Sequence, residues 1–466
     1  MAGTYSSDDP VVVIGAGAVG LGAAHYLAQA GLPVEVIDRA TVGSGASWGN
    51  AGWVCASHSA PIPAPGVTRY VMRSLGRPDS PLYLRPSLDP ALARWALRFW
   101  RSCRRPQFVR GYAALAELNR RTFELFDALR GAGIETTLRT PGIVHAFLSA
   151  DAAREHLAVQ RLMAGTGYEL PDDVSVGDAV RALDATLGPA VAAGYLVPGE
   201  GLVDPDRFVA SLAASVVRTG GRVREGVAVT GVRRSNGSVV AVDTTTGELR
   251  CRAVVIAAGT WSARLLRALG HRLPLQAGKG YSFSVQLDAA PSHPLYLGDK
   301  RVVVSPINGS TRIAGTMELS GDNRRLDWRR IVTVADASRH YLGRWYEHPD
   351  DLMGLIRDPW VGGRPLLPDG LPVIDRLPGQ DNLFVTTGHG MLGITLAPAS
   401  GRALADYMLE GRGDEEVVLA GEAVDHRQAV RQQRAAADPG IADQPHSIVG
   451  MLIPAPELPQ AHPAAR

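Results

Sequence analysis

The sequence predicts an α/β fold in which a Rossmann-like dinucleotide-binding domain is interrupted by an inserted α+β domain built on a mostly antiparallel sheet. Three observations predict it. The run Val11 to Ile14 ends in glycines and leads into a helical stretch and a second strand, a βαβ opening. Much later, "CRAVVIAAG" gives another strand ending in glycine, and "DNLFVTTGHGMLGITLAPASGRALADYML" gives a strand, a glycine loop and a helix. Between these, "GYSFSVQL", "RVVVSPI" and "TRIAGTMEL" follow one another without helices, as antiparallel strands do.

Taken in order, Val11 to Ile14 is apolar and β-branched, as a strand buried on both faces requires. Ala18 to Ala30 is helical in pattern and stopped by Gly31, and "PVEVID" is the next strand. Residues 43–66 are rich in Gly, Ser, Ala and Pro and read as a long functional loop. Residues 88–130 are helical, with Arg94, Arg98, Arg101, Arg104 and Arg105 interleaved with Trp95, Phe99 and Trp100. Arginine stems covering core-facing aromatics explain this pattern most simply, and peripheral contact with an acidic membrane surface is the alternative. "GIVHAFLS", "GYLV", "RVREGVAVTGV" and "GSVVAVDTTTG" are strand-like. The expected division assigns 8–66, 200–270 and 358–415 to the dinucleotide domain, 67–199 and 271–357 to the substrate domain, and 416–466 to a C-terminal extension.

Composition narrows the function. A chain of 466 residues with 45% apolar content buries a large core, and a formal charge of +2 lacks the concentrated basicity of a nucleic-acid binder. Cys55, Cys103 and Cys251 lie far apart with no CxxC pair, so neither a disulfide framework nor a metal site is indicated. The polar N-terminus lacks a secretory pattern and no window reaches a spanning length, so a cytoplasmic protein is expected, with the inner membrane face as the peripheral alternative.

Gly15, Gly17 and Gly20 form GxGxxG, and Asp38 closes the second strand about 18 residues on. Gly15 permits the tight turn, Gly17 lets backbone approach a pyrophosphate, and Gly20 lets helix meet strand. Ala18 and Val19 open the helix whose unpaired N–H groups face the phosphates, and Asp38, beside Arg39, accepts from ribose hydroxyls. This fingerprint does not choose between nicotinamide and flavin.

Other segments do. "VVIAAGTWS", with Ala258, Gly259 and Trp261, and the GHG segment resemble those beside the flavin in two-dinucleotide-type flavoproteins. With "GSGASWGNAGWVCASHSAPIPAPGV", "QAGKGYSFSV", "RIAGTMELSG" and "WVGGRPLLPDGLPVIDR", the sequence resembles the FAD-dependent D-amino-acid oxidoreductases from about residue 10 to 415, most closely the bacterial dehydrogenase group. The resemblance implies amides around Leu392, Gly393, Ile394 and Thr395, after Gly390 and Met391, facing the flavin. It also implies hydrogen bonds from Ser44, Ser47 and Asn50, chain passage past the ring at Ala51, Gly52 and Trp53, and an adenine contact at Val229. Gly49 stands where relatives carry a flavin-linked histidine, and no late cysteine follows Arg364, so non-covalent FAD is expected.

The resemblance further implies Arg364 of "GGRP" as the carboxylate-binding cation. Tyr281 is expected to offer its hydroxyl to the carboxylate or shape the pocket. Lys279, one of two lysines among 48 basic residues, is expected near the flavin edge. His58 and His389 lie in loops expected to face the ring. The implied reaction is hydride transfer from the α-carbon of a D-amino acid to flavin N5, with hydrolysis of the imine to a 2-oxo acid and ammonia, and with oxygen or a quinone as final acceptor. A secondary-amine oxidase, acting on sarcosine-like or D-proline-like compounds, is the alternative within this chemistry. An NAD-dependent dehydrogenase and a non-enzymatic binding protein are the alternatives outside it.

Overall fold

The computed structural model describes residues 8–410 apart from 75–79, 86–87, 162–168, 236–237 and 344, so the extension at 416–466 lies outside the described residues. Val11–Ile14 is fully buried and pairs in parallel with Val34–Ile37 on one side and Ala253–Ile256 on the other. Leu383–Thr387 and Arg222–Arg224 extend this sheet in parallel, and antiparallel Val373–Arg376 closes one edge. Six strands result, and the central ones are nearly all apolar because helices and loops cover both of their faces.

Helix Ala18–Gln29 crosses helix Ala397–Glu410 at two glycines. A Cβ on Gly401 would lie 2.5 Å from the Gly22 carbonyl carbon, and one on Gly22 would lie 2.7 Å from the Ala397 oxygen. Backbone therefore meets backbone, and the glycine loop before Ala397 is held against the nucleotide-binding turn.

The second large sheet has nine strands and is mixed, which corrects the mostly antiparallel expectation. Gln276–Val285 pairs antiparallel with both Ser310–Leu319 and Arg357–Leu366, but Leu295–Leu297 runs parallel to Ile143–Phe147, and Leu82–Leu84 parallel to Ser310–Leu319. The parallel pairs join strands far apart in the chain, where no hairpin dictates direction. Arg357–Leu366 belongs to this sheet, and the chain returns to the six-stranded sheet only at Val373. The run "RVREGVAVTGV" splits at Gly226, whose φ is +70°: Arg222–Arg224 joins the parallel sheet, and Val229–Ser235 opens a separate three-stranded one. No helix among the described residues is long and apolar enough to cross a membrane.

Replacing Gly401 by valine should lower the thermal unfolding midpoint, since overpacking of this kind costs about 1–3 kcal/mol. An unchanged midpoint would show that the two helices part freely.

Candidate active site

A cavity of about 1600 Å³ runs from the glycine turn, between the two large sheets, to the helices after residue 66. At one end Gly15, with φ +117°, lies against Ala257, where a Cβ would approach the carbonyl oxygen to 2.5 Å. Gly20 does not line the cavity; its bare Cα sits over the Gly15 carbonyl, which a Cβ would approach to 2.1 Å. Gly17, Ala18 and Val19 face the cavity. Ser47 does too, and its Oγ accepts from the Ala18 amide at 3.1 Å.

Asp38 lines this end while its carboxylate accepts from the amides of Ala16 and Ala40, each at 2.9 Å. Arg39 stacks 4.0 Å over the Trp261 ring, and Arg324, which sequence reasoning missed, approaches the same ring at 5.0 Å. Val229, Ala258 and Gly259 complete this wall, and Ser44, Asn50, Ala51 and Trp53 continue along the loop. Gly52 stays behind the loop with φ +78°, its Cα close to Val203. Gly390 to Ile394 line the opposite wall. Thr395 does not: its hydroxyl donates to Trp53 O at 3.0 Å and faces the Cys55 amide at 3.4 Å, so it ties the two segments together.

At the other end stands Arg364, half-buried on the edge strand. Its Nη1 donates to Thr316 O at 2.8 Å, and no carboxylate pairs with it among the described residues. Burial pulls its pKa down to about 10. The guanidinium occupies the space that a side chain at residue 280 would fill, since a Cβ on Gly280 would lie 2.3 Å from Cζ. The glycine after Lys279 thus makes room for the cation.

One expectation changes here, and another narrows to one of its two alternatives. Lys279 is 3% exposed, lies outside the cavity lining, and donates to Glu318 Oε1 (3.2 Å), Asn323 Oδ1 (3.2 Å) and Arg325 O (3.1 Å). It sits directly opposite Glu318 in the strand register, so the carboxylate captures it before it can reach the cavity. The Tyr281 ring lines the cavity, but its hydroxyl donates to Glu318 Oε2 at 2.8 Å and its pKa is pushed up by burial and that carboxylate. Tyr281 shapes the pocket while its proton is committed elsewhere.

His389 lines the cavity with Nε2 2.8 Å from Ser400 Oγ, and burial lowers its pKa to about 3. His58 is lowered to about 4 by burial. Behind it runs a buried chain: Gln160 Nε2 lies 3.4 Å from His58 Nδ1, Tyr195 donates to Gln160 Oε1 at 2.7 Å, and His156 Nδ1 lies 2.6 Å from the Tyr195 oxygen. An amide N–H can only donate, so His58 Nδ1 accepts, and the neutral imidazole carries its proton on Nε2. Trp360 was missed in the sequence. Its indole lies across two glycines, where a Cβ on Gly49 or Gly362 would come within 2.0 Å.

The sequence profile of the family described as "FAD dependent oxidoreductase" matches residues 10–407. The chain belongs to this family. A D-amino acid dehydrogenase of Xanthobacter autotrophicus is 34% identical over 413 residues, covering 87% of this chain and 96% of the relative. A D-amino-acid oxidase of Bradyrhizobium diazoefficiens is 31% identical over 427 residues, covering 87% and 96%. Among solved structures, a glycine oxidase from Bacillus cereus shares the fold with a TM-score of 0.67 at 22% identity, covering 90% of this chain and 100% of that one.

The residues present fit FAD. Helix Ala18–Gln29 has no acidic side chain in its first turn to repel a phosphate. Beside Gly17 a Cβ would meet only Ser47 Oγ, at 3.4 Å, and the buried Thr386 hydroxyl on the cavity wall has no hydrogen-bond partner among the described residues. The protein is an FAD-dependent oxidoreductase.

The neutral histidines make stability depend on pH. His25 and His58 (about 4) and His389 (about 3) lie below the ordinary 6.5, so between pH 6.5 and 4 the unfolded chain binds more protons and stability falls as pH drops. Glu200, pushed up to about 7 by burial, acts in the opposite sense above 4.5, with Asp206 and Asp375 also raised, against further histidines, His145, His156 and His271, that burial lowers as well. The unfolding midpoint should therefore fall as pH is lowered through this window. A level or rising midpoint would show that the imidazoles protonate in place.

Proposed function

We propose that this enzyme oxidises D-amino acids at the α-carbon to an imine, which water converts to a 2-oxo acid and ammonia. One observation carries the reading: a half-buried guanidinium, with no carboxylate partner among the described residues, faces a cavity that fits FAD. An unpaired buried cation is costly unless an anion arrives, and a substrate carboxylate is that anion. The names of the relatives, D-amino acid dehydrogenase and D-amino-acid oxidase, support the same substrate class.

When bound, FAD supplies the two-electron acceptor, at N5, for the hydride leaving the α-carbon. Arg364 holds the carboxylate and so aims that carbon. Thr316 O fixes the guanidinium, and the Tyr281 ring limits where the substrate lies. Neutral His58 and His389 serve as hydrogen-bonding groups, because burial makes both poor bases. In this reading the glycine turn, Asp38, Ser47 and the Gly390–Ile394 segment hold the dinucleotide. Residues 8–66 and 200–270, with the chain after Val373, form the FAD side, and 67–199 and 271–357, with Arg364, the substrate side. A histidine at position 49 has no room beside Trp360, which supports non-covalent binding.

Anaerobic mixing with D- and L-amino acids tests the proposal: D-enantiomers should bleach the visible flavin absorbance and L-enantiomers should not. Bleaching by sarcosine or D-proline alone would favour a secondary-amine substrate. Arg364→Ala should lower kcat/KM by about 2–4 kcal/mol in barrier, and an unchanged value would remove Arg364 from the site.

A further inference from the structure

We propose that the arm of the cavity between strand Leu82–Leu84 and helix Pro90–Ser102 receives the substrate side chain, and that this side chain is apolar, aliphatic or aromatic. The inference rests on the reading of Arg364 as carboxylate anchor and adds the class of amino acid that fits beside it.

The helix builds one wall. Asp89 caps it by accepting from the Ala91 amide at 2.8 Å, and Pro90 opens it. Leu92, Trp95, Ala96 and Phe99 all face the cavity, and their spacing of i, i+3, i+4 and i+7 forms a single apolar stripe. Arg94, Arg98 and Arg101 are exposed on the rest of the helix surface. Trp95 stacks on Phe99 at 5.0 Å with 20° between the rings, and its indole N–H donates to Leu366 O at 3.2 Å. That carbonyl is two residues beyond Arg364, so the aromatic wall is fastened to the strand that bears the cation.

The opposite wall is fastened as closely. Leu82–Leu84 pairs with Met317–Leu319, immediately after Thr316, whose carbonyl holds Arg364. Met317 Sδ lies 3.9 Å from Arg364 Nη1, so the apolar surface begins where the carboxylate would sit.

Charge on the arm completes the argument. Asp38 is the one carboxylate among the described lining residues, and it belongs to the nucleotide end. Of the charged lining residues, Arg69 and Arg85 flank the arm's two elements in the chain and are exposed at the rim, whereas Arg301 enters the lining with Tyr296 and Val303. A cationic side chain would therefore be buried without a counter-charge, and an anionic one would have to leave the apolar wall to reach the rim.

Steady-state kinetics of the holoenzyme with an artificial acceptor tests this across D-alanine, D-valine, D-leucine, D-methionine, D-phenylalanine, D-aspartate and D-lysine. kcat/KM should rise by roughly threefold to fivefold per buried methylene, and D-aspartate and D-lysine should fall below D-alanine. Phe99→Ala should reduce D-leucine and D-phenylalanine at least about tenfold more than D-alanine, from the same burial term. Leu82→Arg, read as the D-glutamate to D-leucine ratio, should shift that ratio upward, and it keeps the test open if the first variant fails to retain FAD. Turnover of D-amino acids with a flat panel, or with a charged substrate best, would overturn this inference alone. Absence of turnover with every D-amino acid would overturn the proposed function, and this inference with it.

Discussion

A half-buried guanidinium on the cavity wall, with no acid to pair with among the described residues, is the constraint around which the site is organised. Arg364 keeps its charge at neutral pH even though burial lowers its pKa to about 10, and one backbone carbonyl is its closest polar contact. A protein that needed only stability would pair or remove such a group, since an uncompensated buried charge is among the more expensive features a fold can carry. Glu318, a carboxylate on the strand that also carries Thr316, is already committed to Lys279, Tyr281, Ser320 and Arg330. The fold thus keeps the satisfied ion cluster around Glu318 apart from the Arg364 guanidinium on the cavity wall.

Much of this arrangement is made by omitting side chains. Gly280 leaves the volume that Arg364 occupies, Gly49 and Gly362 leave the volume for the Trp360 indole, and Gly22 with Gly401 lets the last helix seat the glycine loop against the nucleotide turn. Close packing means that each of these volumes is already used, so even a methyl group would displace a neighbour with a role in the cavity. The nucleotide end follows the same logic, with Gly15 and Gly20 bringing strand, turn and helix into backbone contact.

The parts legible in the sequence are those fixed by local backbone demands. GxGxxG with a following acid specifies its own turn, and the structure brings Gly15, Gly17 and Asp38 together at one end of the cavity, with Ser47 against the helix start. Arg364 was singled out because "GGRP" resembles a family motif, and the structure places its guanidinium on the cavity wall. Lys279 was misread because its fate depends on which residue faces it across the strand, and the register that places Glu318 there has no local signature. The mixed sheet went unseen for the same reason, since the parallel pairing of Leu295–Leu297 with Ile143–Phe147 joins distant segments. Thr316, Trp360 and the Gln160–Tyr195–His156 chain behind His58 come together only in three dimensions, whereas the glycines beside Trp360 were a visible but unspecific hint.

The central claim is that Arg364 is an unpaired cation waiting for a carboxylate beside bound FAD. Titrating the purified holoenzyme with an aromatic carboxylate such as benzoate, and following the visible flavin spectrum, measures this without turnover. Saturable perturbation in the native protein, weakened at least about 30-fold in Arg364→Met at unchanged FAD content, is the predicted result, as loss of a buried charge partner requires. Equal affinity in both proteins would contradict the account.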